Sequence, residues 1–128
     1  MFETRTMVRA SDHAISAGHD LATKAGMEVL RNGGNAVDAG VAAGIALGVL
    51  HSDLVNFAGV APIMIRLAGS GETITIDGLG VWPKLASADY FEREHGGAIP
   101  EGLQRTVVPA APAAWIEALI RYGTMSYG

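Results

Sequence analysis

From Ala36 to Leu50 the chain carries one polar side chain, Asp38, in a stretch otherwise built of Ala, Gly, Val, Leu and Ile. A helix that is apolar all round either sits inside a core or crosses a membrane. About 15 residues at roughly 1.5 Å each span near 22 Å, short of a ~30 Å hydrocarbon layer, so burial is expected and a membrane is not. Gly40, Ala43, Gly44 and Gly48 lack bulk, which lets other elements approach closely, as in a central packed layer. Asn35 is placed to cap this helix, and Asp38, at its third position, favours the exposed amides and the positive end of the dipole.

The elements around it follow from spacing. Residues 6–10 (TMVRA) suit a short strand. Ser11 and Asp12 offer caps for a helix running to about Leu30, with Ala14, Ala17, Leu21, Ala25 and Val29 on its buried face. Asn32-Gly33-Gly34 closes that helix, because glycine takes the left-handed conformation freely. After a loop from His51 to about Gly59, APIMIRL and ETITID flank AGSG and alternate apolar with polar residues, which predicts a hairpin with one buried face. A short helix near Ser87 to Glu94, a Gly-rich loop through Gly102, a strand at 105–108 and a helix over Ala113–Tyr122 complete the pattern, with Pro112 in the last helix's first turn. Helices gathered early with strands paired afterwards point to an α+β chain with helices layered against a sheet. Thr124 to Gly128 follow the last helix, so the sequence is expected to stop between elements, as one domain or part of one.

At 49 % hydrophobic and 17 % charged the 128 residues can bury a core, which excludes disorder as the main state. A net charge of -4 lacks the basic surplus that phosphate neutralisation needs, so no nucleic-acid partner is expected. The absence of Cys removes disulfides, thiolate metal sites and a Cys nucleophile, and the start lacks an apolar leader behind a basic region. A reducing, cytoplasmic location is the expectation. None of His13, His19, His51 and His95 forms the i, i+4 pair of a zinc protease, so neither a metal site nor a cofactor is predicted.

Several polar groups have two readings each. His51-Ser52-Asp53 holds the residue types of a serine triad, but neighbours in sequence seldom line up as nucleophile, base and orienter, and a polar loop cap is preferred. The NGGN turn is either an anion cradle at a helix amino end or a turn between helices. It follows a helix and lacks the P-loop Lys, which favours the turn. Arg66 is either solvated charge or a carboxylate clamp, and so is Arg105; Trp82-Pro83 is either packing or a substrate wall.

The order of segments carries more than any one residue. The run from Ser11-Asp12-His13 through AGMEVLRNGGNAVDAGVAAGIALGVL, a hairpin ending ITIDG, and TVVPAAPAAWIEALIRYGT resembles the amino-terminal region of the gamma-glutamyltranspeptidase family. The NGGNAVDA block is the most specific piece, and the similarity covers nearly the whole chain. The resemblance implies an amino-terminal nucleophile hydrolase, hence a partial four-layer αββα sandwich over residues 1–128. It also implies a precursor that cleaves itself into a large and a small subunit. The cut exposes a Thr whose hydroxyl attacks an amide carbonyl while its free α-amine acts as base, with an oxyanion hole holding the intermediate. Nucleophile and oxyanion donors belong to the small subunit, so no catalytic residue is assigned within this chain, which is expected to be inactive and poorly folded alone. Its expected partners are the remainder of the precursor, small subunit included, and a small-molecule amide or gamma-glutamyl substrate.

Two departures from the family pattern bear on the substrate. NFAGVAP at 56–62 stands where the family has a Gly-rich run. Asp77-Gly78 is followed by Leu79-Gly80, where the family commonly has an Arg that clamps the donor's α-carboxylate. Losing a bidentate charge-assisted contact costs about 1.5–3 kcal/mol or more, enough to change donor preference. Leu79 is therefore assigned to the substrate pocket, and Arg66 or Arg105 takes over the clamp only if the fold brings one of them there. The alternatives are a non-catalytic relative kept as a binding or structural module, and a free-standing small-molecule binding domain.

Overall fold

The computed structural model describes residues 7–126. Four helices and one hairpin make up the described chain: α1 Asp20–Arg31, α2 Ala36–Leu50, β1 Ile63–Arg66, β2 Thr73–Ile76, α3 Ala88–His95 and α4 Ala111–Tyr122, with a 3-10 turn at Leu103–Arg105. The class is α+β: α2 and α4 pack together and cover one face of the antiparallel β1–β2 pair.

α1 and α2 form a close helical hairpin, and small residues set its spacing. A Cβ added at Gly26 lies 2.8 Å from the Ala39 carbonyl oxygen, so only hydrogen fits. The seam runs through Ala22 and Gly26 on α1 and Ala39 and Ala43 on α2, all buried. This corrects the face expected for α1: Leu21 is 51 % exposed, because the side with the least bulk allows the closest approach.

The start of α1 also differs. Residues 11–18 do not open the helix. His19 caps it, its Nδ1 accepting from the Leu21 amide at 3.1 Å, while Thr23 Oγ1 accepts from the Ala17 amide at 3.2 Å. Ser11 and Asp12 bond each other instead, and Ile15 is laid against Gly26. A tertiary contact overrides the caps that local sequence offers. Of the strand expected at 6–10, residues 7–10 are irregular and exposed, and Thr6 lies outside the described residues.

α2 has the expected bounds but not the expected enclosure. Asp38, Ala39, Val41 and Ala43 are buried, whereas Val49 is 83 % exposed and Gly40 and Ile45 are open. Below it, Ile65 joins Val41, Ala111, Trp115 and Ala118 in the core. β1 and β2 pair Ile63 with Ile76 and Ile65 with Ile74 on the buried side, and Met64 and Arg66 face outward.

The expected strand at 105–108 reduces to one bridge, Val108 to Val81, with the Val108 amide 2.8 Å from the Val81 carbonyl. Pro83 and Pro109 supply no amides beside it, so the ladder cannot extend. α4 starts at Ala111, two residues earlier than expected, because the Gly59 carbonyl accepts from both Ala110 and Ala111 at 3.1 Å and stands in for a cap. α3 runs one residue beyond its predicted end and closes on Gly96 at φ 60°.

Candidate functional site

The best-built polar cluster joins the start of α2 to the chain leaving α4. Asn35 Oδ1 accepts from the amides of Val37 (2.8 Å) and Asp38 (3.0 Å), and Asp38 Oδ2 accepts in return from the Asn35 amide at 2.8 Å, a reciprocal capping box. The same carboxylate accepts from the Thr124 amide (3.0 Å), the Thr124 hydroxyl (2.8 Å) and the Met125 amide (3.4 Å), while Asn35 Nδ2 donates to the Tyr122 carbonyl at 2.6 Å. Asp38 is 5 % exposed. Burial alone would raise its pKa, but the hydrogen bonds from Asn35, Thr124 and Met125 outweigh that and hold it below the usual carboxylate value.

This decides the NGGN turn. The α2 amino end is filled by the chain's own carboxylate and carbonyl-linked amide, so it is a helix-to-helix turn, not an anion cradle. Gly33 takes φ 91° to make it. Thr124 was not singled out from sequence, since a contact 86 residues away leaves no local pattern. The sequence signal that did exist was Asp38 three residues after Asn35.

The second feature is the turn after the hairpin. Gly78 (φ 56°) and Gly80 (φ 81°) flank Leu79, and a Cβ at either would run into a backbone oxygen: Ala61 at 2.1 Å and Val108 at 2.2 Å. Leu79 itself is half-exposed, held by two positions that admit only glycine. Arg66 pairs with Thr73 at the closed end of the hairpin, and Gly78 bonds Ala61 at the open end. From Thr73 to Gly78 is roughly 17 Å at about 3.3 Å per residue, beyond the reach of an arginine side chain. The fold does not bring Arg66 to Leu79. Arg105 lies two residues before Val107, whose Cγ2 is 3.4 Å from a Cβ built at Gly80, so its backbone runs beside this turn. Its guanidinium is turned to the Ile99 carbonyl, at 3.2 Å from Nε and 3.1 Å from one terminal nitrogen, with Glu101 3.9 Å from the other.

The remaining groups take their plainer roles. His51 closes α2 and its Nδ1 is 2.8 Å from Asp53 Oδ1, a bond that lowers the Asp53 pKa. Among the described residues Ser52 joins no such bond, so no triad is formed. Trp82 stacks edge-on against Phe91 at 5.6 Å, part of a small aromatic cluster with Tyr90. Among the described residues no cluster of three His, Asp or Glu is placed to hold a metal, and no helix is long and apolar enough to cross a membrane.

An open groove of about 630 Å³ lies between α2, α4 and β1, walled by Val37, Val41, Trp115 and Tyr122, with Arg66 at its rim.

The comparisons with known proteins converge on the same region of one family. The Gamma-glutamyltranspeptidase family profile matches residues 22–128. The chain is 36 % identical over 123 residues to the Acylase ACY 1 proenzyme of a Pseudomonas species, a match covering 87 % of the chain and 22 % of that protein. It is 35 % identical over 124 residues to the Glutathione hydrolase proenzyme of Escherichia coli, covering 92 % and 21 %. The crystal structure of Helicobacter pylori gamma-glutamyltranspeptidase superposes with a TM-score of 0.82 at 31 % identity, over 94 % of this chain and 36 % of that one. The chain thus spans about a fifth of the length of the curated relatives it matches. On these matches, the chain belongs to the gamma-glutamyltranspeptidase family.

Proposed function

We propose that residues 1–128 form the amino-terminal portion of the large subunit of a gamma-glutamyltranspeptidase-like enzyme. In its complete form this enzyme hydrolyses or transfers an acyl group, gamma-glutamyl or related, from an amide. Helices on one side of a two-stranded sheet are then one side of a four-layer αββα sandwich, whose other layers come from the rest of the precursor. The observation that carries this reading is surface. The chain exposes 9619 Å², whereas a compact monomer of 13.3 kDa exposes about 6,450 Å². Large apolar side chains are among the exposed groups: Val49, Met64 and Ile120 stand largely in solvent.

Chemistry in this reading comes from a Thr outside the chain. Its hydroxyl attacks the amide carbonyl, its own α-amine takes the proton, and an oxyanion hole stabilises the tetrahedral intermediate; the α-amine returns that proton to the nitrogen as the C–N bond breaks and the amine leaves, and water or an acceptor amine then takes the acyl group from the Thr ester. The chain's part is to shape the donor pocket. Leu79 presents an aliphatic side chain where a guanidinium would fix an α-carboxylate. Arg105 is the cation whose backbone runs alongside, and Arg66 borders the groove at the hairpin's far end. An acyl donor without an α-carboxylate suits this turn, in keeping with the acylase named among the relatives at 36 % identity beside 35 % for the glutathione hydrolase.

Intact-mass analysis of the complete precursor tests the proposal. Two fragments separated by a cut immediately before a Thr are expected. A precursor that stays whole, or one cut elsewhere, overturns it.

A further inference from the structure

Three stretches of backbone lock together around Leu79. The Ala61 amide donates to the Gly78 carbonyl at 2.8 Å, and the Gly59 carbonyl accepts from the amides of Ala110 and Ala111 at 3.1 Å. The Val108 amide donates to the Val81 carbonyl at 2.8 Å, so the segment before α4 closes on both the loop after α2 and the turn after β2. Val60 stands one residue before Ala61 and Leu79 one residue after Gly78, so the last bond of the hairpin sets their backbones side by side. Gly78 and Gly80, both left-handed, hold Leu79 in place between these contacts. Val60, Leu79 and Val108 are each half-exposed.

The frame so built carries no charge. From Phe57 to Pro62, from Gly78 to Pro83 and from Val107 to Ile116 there is no Asp, Glu, Lys, Arg or His. Asp77, directly before Gly78, is an acid and repels a carboxylate. The antiparallel sense of the Val81–Val108 bridge leads Arg105 toward Lys84 and away from Leu79, while Arg66 stays at the hairpin's far end. A carboxylate placed against this frame would lose water and meet no cation, whereas an aliphatic chain would cover apolar surface that is already half out of water. We propose that this turn takes the far end of an unbranched, uncharged alkanoyl group, with Val60, Leu79 and Val108 as the side chains that set donor specificity. The assignment rests on the reading above that Leu79 lines the donor pocket, and adds to it what fills that pocket.

Release of p-nitroaniline by the complete enzyme tests it on three anilides of one chain length, with intact mass recorded on the same sample. Pentanoyl ends in a methyl, glutaryl puts a carboxylate in its place, and gamma-glutamyl adds an ammonium. Pentanoyl is expected to lead both others in kcat/KM by about tenfold or more. Leu79→Ala and Val60→Ala are each expected to lower kcat/KM for pentanoyl about tenfold relative to acetyl, whose acyl group is too short to reach the turn. That ratio is taken on one preparation, so any loss of folded enzyme cancels. Glutaryl or gamma-glutamyl ahead of pentanoyl, in an enzyme cut before a Thr, defeats this inference alone. So does a pentanoyl-to-acetyl ratio that neither variant moves. Pentanoyl preference in a precursor that stays whole defeats the functional reading alone, and release from none of the anilides overturns the inference.

Discussion

At the scale of single residues, Asp38 does the most. Its carboxylate closes the capping box and fixes Thr124 and Met125, so removing it releases two segments at once. Asp38→Ala is expected to cost roughly 2–4 kcal/mol in urea denaturation, combining a lost cap with charge-assisted hydrogen bonds. The pH dependence has a definite sign. Because the folded pKa lies below the ordinary value of 3.8, the unfolded chain takes up the proton first. This contribution is complete above the unfolded value and fades as pH falls through the folded one. Stability of the wild type should therefore drop more steeply below about pH 4 than that of Asp38→Asn; parallel curves would deny Asp38 this part. In the proposed reading, Leu79 is the residue on which donor choice turns. In the complete enzyme Leu79→Arg should raise kcat/KM for a gamma-glutamyl amide tenfold or more relative to a simple acyl amide, and an unchanged ratio would assign the pocket to another acid.

At the scale of elements, most of the chain was legible and the misses share a cause. α2, the hairpin, α3 and α4 were placed within two residues: α2 by its unbroken apolar run behind the Asn35 cap, the hairpin by its alternation, and α3 and α4 by their spacing and the glycines that follow them, Gly96 and Gly123. α1 was given too early a start and the wrong face. The helix-opening pair Ser11-Asp12 is overridden by Ile15 packing on Gly26, a contact between residues that no periodicity links. The strand at 105–108 was predicted from β-branched residues, but a strand needs a partner, and the prolines on both sides leave one bridge. The site was less legible: Leu79 stood out only against a family pattern, and the Asn35–Tyr122 and Asp38–Thr124 bonds join residues 86 or more apart. α2 offers the direct test of packing. A Cβ at Gly44 lies 3.4 Å from Trp115 Nε1, so Gly44→Leu must displace the indole and should cost ~1–3 kcal/mol. A Tm unchanged by that substitution would mean that α2 and α4 do not pack as described.

At the scale of the whole molecule, the small core of Val41, Ile65, Ala111, Trp115 and Ala118 supports far more surface than it can cover. The isolated chain should bind a hydrophobic dye and melt without a sharp transition, whereas the complete precursor should do neither. Dye binding at the level of an ordinary folded monomer would show the surface to be satisfied. What remains is the division of labour proposed above, in which this chain frames a reaction whose nucleophile lies elsewhere. The direct measurement is amine release from a gamma-glutamyl amide and from a simple acyl amide, by the purified 128 residues and by the processed complete enzyme in parallel. Turnover is expected from the complete enzyme and none from the 128 residues alone; sustained turnover by those residues unaided would place a working nucleophile within them.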